Sequence, residues 1–372
     1  MNKTVESIAQ TRGEQILQTY LREAKFLYLK NIPKQTVIAA LLLQLKNPYA
    51  LARVFNTSIN KLEHLINNGA YKSFYIPKKR GGQRLIEVPE IPLLSNQKGL
   101  NFFLQAYYAC IKPQSVHGFI KTKSYSNKPS GIVSNASMHI NKATVLNIDL
   151  KDFFQNISSK QVYQLFRSPL FNYNENMAAA YTLLCTHKGH LPTGAPTSPI
   201  LSNFICLELD RALEQFCLIH ELSYSRYADD LSFSSNKQIN ANMVLDLVGI
   251  INHCDFQINN KKVRTISRRG RQTVTGLVVN QKLNVDRRYI RNIRATLHDL
   301  ELNGLANAST KHFKVQETAS KAQQQHFISR IQAQINFVGS VRGKEDGIFQ
   351  KLKLKFVGLT AELHKAPADK GI

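Results

Sequence analysis

The stretch SYSRYADDLSFS, residues 223–234, decides the reading of this chain. Its pattern predicts two strands with Ala228-Asp229-Asp230 at the bend. A lone Asp-Asp pair in a turn is ordinary turn chemistry. This pair gains weight from ATVLNIDLKDFF, residues 143–154, which starts as an apolar strand and delivers Asp149 near its end. Both acidic sites are flanked by apolar strand residues suited to one sheet. Adjacent antiparallel strands would bring Asp149 and Asp229 close together. Carboxylates gathered in this way repel one another unless a cation sits among them. In a basic chain the economical occupants are Mg²⁺ ions, which favour oxygen ligands and shared phosphate oxygens. Two such ions about 3.5–4 Å apart can activate a primer hydroxyl and stabilise a pyrophosphate leaving group, the chemistry of nucleotidyl transfer. Asp152, three residues beyond Asp149, points either to nucleotide or to solvent.

Composition agrees with that chemistry. The chain has 372 residues, 43% hydrophobic and 9% aromatic, enough for several lobes around a large core and too apolar for general disorder. Its 49 Lys and Arg stand against 25 Asp and Glu, a net charge of +24. That excess suits a protein that holds a phosphate backbone. Five cysteines, an odd number without a CxxC pair, argue against a disulfide scaffold or structural zinc, and Cys206 and Cys217 read as buried thiols. VIAALLL, residues 37–43, is too short to span a membrane, and the first residues carry no apolar signal core. An intracellular, cytoplasmic protein without membrane association is expected.

Residues 1–64 read as helical, with a break at Asn47-Pro48 and Ser58 capping a final short helix. YKSFYIPKKRGGQRLIEVP, residues 71–89, reads as a hairpin with a Gly-Gly turn. Lys78, Lys79, Arg80 and Arg84 crowd that turn, either as a solvated tip or as a positive finger over a phosphate. Residues 90–140 are mixed and contain His117-Gly118 and the basic loop KTKSYSNKPS. Residues 159–187 look helical. LPTGAPTSP, residues 191–199, is a rigid loop leading into the apolar helix LSNFICLELDRALEQF. A helix over about 240–254 precedes a strand pair around NNKKVRTI and QTVTGLVV, and the chain is helical again from about Asp286.

Residues 261–294 hold eleven Lys and Arg against the single acid Asp286. Arg287, Arg291 and Arg294 are spaced by four and three and so share one helix face. Such a face could follow a duplex minor groove or simply be solvated. HFISRIQAQINFVGSVRG, residues 326–343, has an apolar helical face ending at glycine, and KLKLKF, residues 351–356, alternates basic and apolar residues.

Taken together, GGQRLIEVP (81–89), NIDLKDFF (147–154), HLPTGAPTSPILSN (190–203), YSRYADDLSFS (224–234) and VTGLVVN (274–280) resemble the reverse transcriptases of the right-hand polymerase class, and more narrowly the bacterial retron reverse transcriptases. Asn135-Ala136-Ser137-Met138-His139 looks like that family's Asn-Ala-x-x-His element. The resemblance implies an α+β right-hand polymerase. Its expected parts are an N-terminal helical extension over 1–64, mainly fingers over 65–148, mainly palm with intervening fingers elements over 149–281, and a thumb and C-terminal RNA-binding lobe over 282–372.

The resemblance also implies roles. Asp149, Asp229 and Asp230 would be catalytic and, with Leu150, form the site of two Mg²⁺ ions. Phe154 would sit beneath the incoming sugar and collide with a 2′-hydroxyl, favouring deoxynucleoside triphosphates. Lys79 (or Lys78) and Arg84 would reach the triphosphate. Pro192, Thr193 and Gly194 would floor the nucleotide site, with Thr193 where many relatives carry glutamine. Lys262, or equally Lys261, would support the leaving phosphate. Asn135, His139, Arg268, Arg269, Arg271, Arg287, Arg288, Arg291 and Arg294 would face nucleic acid, His139 being equally readable as a structural histidine. The implied partners are a cognate structured noncoding RNA, primed from a guanosine 2′-hydroxyl to give branched RNA–DNA, a separate defence effector protein and a host ribonuclease H. The competing readings are a stand-alone reverse transcriptase of the group II intron or diversity-generating kind, and a catalytically silent RNA-binding scaffold.

Overall fold

A computed structural model describes residues 32–78, 81–121, 130–315 and 317–365. The chain divides into two units, Met1–Asn135 with Leu146–Thr265 and Ala136–Val145 with Ile266–Ile372. Among the described residues no helix is long and apolar enough to cross a membrane.

The first unit begins, among the described residues, with helices α1 (Lys34–Gln44), α2 (Pro48–Val54) and α3 (Ile59–Asn68). Asn47 caps α2 by accepting from the Ala50 N–H, and Pro48 fills the first helical position, where no N–H is needed. Ser58 caps α3 through the Lys61 N–H. Strands β1 (Tyr71–Pro77) and β2 (Gln83–Pro89) form the expected hairpin, with Pro77 opposite Gln83. Helix α4 (Ile91–Ile111) buries Leu93, Leu100, Phe103, Leu104 and Tyr108, as a helix apolar on most sides must. After α5 (Ile132–Ser137) and β3 (Thr144–Asp149) come α6 (Ser159–Arg167) and α7 (Glu175–Cys185). Tyr107, Phe166, Phe171, Tyr173, Tyr181 and Phe204 stack and edge together in the core. The Tyr173 hydroxyl donates to the Leu42 carbonyl at 2.7 Å and so ties α1 to that core.

The apolar helix expected after Pro199 is two helices, α8 (Ser198–Ile205) and α9 (Leu207–Ile219), joined at Cys206. Strands β4 (Ser223–Tyr227) and β5 (Asp230–Ser235) follow, then α10 (Ala241–His253) and a 3₁₀ turn, Asn260–Lys262. The principal sheet has the order β4-β5-β3-β6, with β6 spanning Arg264–Ser267. β5 therefore lies beside β3. One expectation is corrected here: β6 does not pair with the strand region of QTVTGLVV but takes the edge next to β3. That stretch folds on itself as a hairpin, β7 (Thr273–Val274) with β8 (Leu277–Val278). Thr275 and Gly276 have φ of 47° and 80°, the two positive values that the tightest hairpin turn requires.

The second unit gathers that hairpin, residues 136–145 and the C-terminal helices. The Asn141 N–H donates to the Val279 carbonyl at 2.9 Å, and the enclosed Gln272 side chain donates to the Lys142 and Ala143 carbonyls. Helices α11 (Arg287–Phe313), α12 (Lys321–Arg342) and α13 (Gly347–Lys365) complete it. Asp286 caps α11, Gly304 kinks it with φ 69°, and Ser320 with Gln323 forms a capping box on α12. A Cβ on Gly339 would stand 2.5 Å from the Phe349 ring, so glycine lets α12 and α13 approach.

Candidate active site

Tyr227 pairs with Asp230 and leaves Ala228 and Asp229 as the two-residue turn between β4 and β5. Ala228 has φ 59°, a value such turns demand. Gly118 lies directly against this turn. A Cβ there would fall 2.4 Å from the Ala228 nitrogen, which only glycine avoids. Beside it, the His117 N–H donates to the Arg226 carbonyl and the Arg226 N–H to the Ser115 carbonyl, both at 2.9 Å.

Arg226 is fully enclosed, an arrangement tolerable only with complete pairing. Its Nε and Nη2 donate to the two oxygens of the enclosed Asp210 at 2.7 Å. Its Nη1 donates to Asn203 Oδ1 at 2.9 Å and to the Ala228 carbonyl at 3.3 Å. Asn203 Nδ2 donates to the Gly118 carbonyl at 3.0 Å, and the Tyr224 hydroxyl to Asp210 at 2.8 Å. This network fixes the acidic turn from within. Sequence reading missed it, because an arginine in a strand looks like a solvent-facing residue; the signal on offer was the helical Asp210.

Backbone bonds tie the second acidic strand to the turn. The Leu150 N–H donates to the Asp229 carbonyl at 2.9 Å, and the Asn259 N–H to the Asp149 carbonyl at 2.8 Å. Lys262 Nζ stands 2.8 Å from both carboxylate oxygens of Asp149. Of the two candidate lysines, Lys262 is thus the one on the acidic cluster. Burial, then the neighbouring Asp149, raises the Asp229 carboxyl above its usual range, opposed by Lys262 and Arg84. Asp230 is exposed at the mouth of the turn, and partial desolvation by the surrounding protein, then Asp229 and Asp149, pushes it up to about 6, again against Lys262. Desolvation leads in both shifts, and the neighbouring carboxylates add to it because the positive charge beside them does not offset their repulsion. The donor set, all hard oxygens on two neighbouring strands, fits divalent cations of the Mg²⁺ type. Among the described residues no three acidic, His or Cys side chains stand in closed metal-ligand geometry. Leu150 is enclosed, so only its backbone could face an ion.

The expected nucleotide residues are placed as follows. Phe154 is half-buried, its ring 5.8 Å from Phe119 and 5.4 Å from Phe153, while Phe153 is buried. Strand β3 has ended by then, and both residues lie in the turn that follows it. Pro192 is buried, Thr193 half-buried and Gly194 exposed. The Thr193 carbonyl accepts from the Glu87 N–H of β2 at 2.9 Å, which joins this loop to the hairpin carrying Arg84. Arg84 is exposed, and its charge is felt at Asp229. Lys79 lies outside the described residues.

Of the residues expected to face nucleic acid, Asn135 and His139 stand apart. Both are fully enclosed and present no side chain to a partner in this structure. Arg269, Arg287, Arg288, Arg291 and Arg294 are exposed without an ion pair among the described residues. Arg271 is exposed but pairs with Asp286 at 2.7 Å, and Arg268 donates to the Asn141 carbonyl at 3.0 Å.

Comparison with known proteins places these features. Residues 76–360 match the family described as reverse transcriptase (RNA-dependent DNA polymerase). The chain is 37% identical over 175 residues to the retron Ec86 reverse transcriptase of Escherichia coli, covering 46% of this chain and 54% of that one. It is 32% identical over 247 residues to the retron Mx65 reverse transcriptase of Myxococcus xanthus, covering 61% and 55%. With the retron Ec73 reverse transcriptase of Escherichia coli it shares 31% over 230 residues, covering 56% and 68%. The chain thus spans little more than half the length of the first two. Among solved structures it is similar to a telomerase from Candida albicans in complex with a telomeric RNA fragment, with TM-score 0.46 and 10% identity over 86% of this chain and 69% of that one. With the family match over most of its length and these relatives beside it, the chain belongs to the reverse transcriptase family and, within it, to the retron reverse transcriptases.

Proposed function

We propose that this protein is an RNA-directed DNA polymerase that copies a cognate structured noncoding RNA, starting from a guanosine 2′-hydroxyl of that RNA, into branched RNA–DNA. The observation that carries the reading is the crowding of Asp149, Asp229 and Asp230 at one end of β3 and the β4–β5 turn, with Lys262 as counter-charge. Asp149, Asp229, Asp230 and the Leu150 backbone would hold two Mg²⁺ ions, which when bound lower the proton affinity of the primer hydroxyl and neutralise the triphosphate. Lys262 then leaves Asp149 for the leaving phosphate. Arg84, together with Lys79, grips the triphosphate, since a guanidinium can hold phosphate oxygens bidentately. Pro192, Thr193 and Gly194 form the floor, and Phe154 closes the space where a 2′-hydroxyl would lie.

Arg269, Arg287, Arg288, Arg291 and Arg294 hold phosphates of the RNA and of the growing hybrid. A host ribonuclease H removes copied template, and a separate effector protein turns the product to phage defence in the cytoplasm. The test is to purify the protein expressed with its flanking DNA and sequence the bound nucleic acid before and after ribonuclease and debranching treatment. A discrete DNA joined 2′–5′ to one RNA, absent from an Asp229→Ala/Asp230→Ala variant, is the expected result. Unbranched heterogeneous DNA would point to a general reverse transcriptase, and an unchanged product in the double variant would leave only a scaffold.

A further inference from the structure

Glu87 is fully enclosed on β2, and the chemistry above does not use its side chain. Its Oε2 lies 2.9 Å from His190 Nε2. His187 Nε2 stands 3.9 Å from Oε1, an oxygen that makes no hydrogen bond among the described residues. His187 in turn stacks on Tyr71 of β1, ring centroids 4.2 Å apart. An enclosed carboxylate is costly, and an apolar side chain would pack here with less penalty. Its surroundings show what the carboxylate fixes. The Glu87 N–H donates to the Thr193 carbonyl at 2.9 Å. Gly194, with φ 134°, comes so near that a Cβ would lie 2.9 Å from the Glu87 carbonyl. His190 closes the turn just before that loop and bridges to Ser158. Glu87 and His190 therefore clamp β2 onto the Pro192-Thr193-Gly194 loop at one point. Arg84 is three residues back along the same strand and so on its opposite face.

We infer that Glu87 and His190 are positioning residues whose hydrogen bond holds β2 on the Pro192–Gly194 loop and thereby sets the reach of Arg84 toward the incoming nucleotide. The inference rests on the polymerase reading above. It is tested by steady-state primer extension on an RNA template, titrating one deoxynucleoside triphosphate. A wild-type protein that extends no primer would remove the polymerase reading and the inference with it. Given wild-type extension, His190→Ala raises the nucleotide KM roughly tenfold with kcat within about twofold, a loss of nucleotide binding rather than of chemistry. His190→Gln, which keeps a donor toward Glu87, restores KM. Glu87→Leu, which fills the space without the bond, repeats the rise. In an Arg84→Ala background His190→Ala adds nothing, because the two act through one contact. An unchanged KM in both His190→Ala and Glu87→Leu, a fall in kcat alone, or effects that multiply with Arg84→Ala would overturn the inference.

Discussion

Phe154 tests the site at the scale of one side chain. It is half-buried against Phe119 and Phe153, so it serves the core and still presents an edge. If that edge excludes a 2′-hydroxyl, Phe154→Ala raises ribonucleotide over deoxynucleotide incorporation, by about 10- to 100-fold for a change of this size in a pocket. Competition assays with matched ribo- and deoxynucleotides measure the ratio. A lowered melting temperature with an unchanged ratio would leave only the core role. His117 gives a second test. Burial, then Lys112, lowers its imidazole to about 4 from an ordinary 6.5. The folded protein keeps this ring neutral, whereas the unfolded chain protonates it below about 6.5. Its contribution to stability is thus complete above that pH and is lost as pH falls toward 4. Melting curves of wild type should fall more steeply across that window than those of His117→Gln. Equal slopes would mean that the ring accepts a proton in the fold.

At the scale of elements, Asp346 joins two helices. It accepts from Arg342 Nε and Nη2 at the end of α12 at 2.8 and 2.9 Å, and from the Ile348 and Phe349 N–H groups at the start of α13. These bonds, Arg342 first, hold its carboxyl at about 2. A depressed acid contributes stability above its unfolded value near 4, and that contribution is lost as pH falls through 2. Asp346→Ala should cost about 1–2 kcal/mol at neutral pH, the worth of a lost cap, with a difference from wild type that shrinks in acid. Urea titrations at pH 7 and pH 3 check both statements. The elements themselves differ in how legible they were. The acidic hairpin, its neighbour β3, the break at Asn47-Pro48 and the Ser58 cap follow from local pattern, because alternation and capping act over a few residues. The partner of β6 does not. NNKKVRTI and QTVTGLVV both read as strands, and only long-range packing decides that one takes the sheet edge while the other folds on Thr275-Gly276. The Arg226–Asp210 pair was hidden for a related reason: a charge looks exposed until its buried partner is known. Lys262 could be told from Lys261 only once the 3₁₀ turn aimed it at Asp149.

At the scale of the whole molecule, the question is what a net charge of +24 is for. Part of the basic run from 261 to 294 is already committed within the fold. Arg271 is paired with Asp286, Lys282 stands 3.7 Å from Asp346, and Lys262 is held by Asp149. Of the charges left over, four lie on α11, where Arg287, Arg288, Arg291 and Arg294 are exposed while Ile290, Ile293 and Leu297 face inward. Arg287 and Arg288 even occupy the first turn of that helix, where positive charge opposes the helix dipole at about 0.3–1 kcal/mol each. Stability alone would not place them there, and binding phosphate would. If these arginines neutralise phosphates, log affinity for RNA falls with log salt, and each lost contact lowers the slope by roughly 0.7–0.9. Replacing Arg287, Arg291 and Arg294 together by glutamine should therefore reduce the slope by about 2–3 and weaken unrelated RNAs equally. Arg271→Gln, which removes a charge already opposed by Asp286, should change it by less than one such contact. Fluorescence anisotropy with a labelled RNA over a salt series separates the two variants. Equal slopes in wild type and the triple variant would mean that the α11 arginines form a solvated face and that the RNA is held elsewhere.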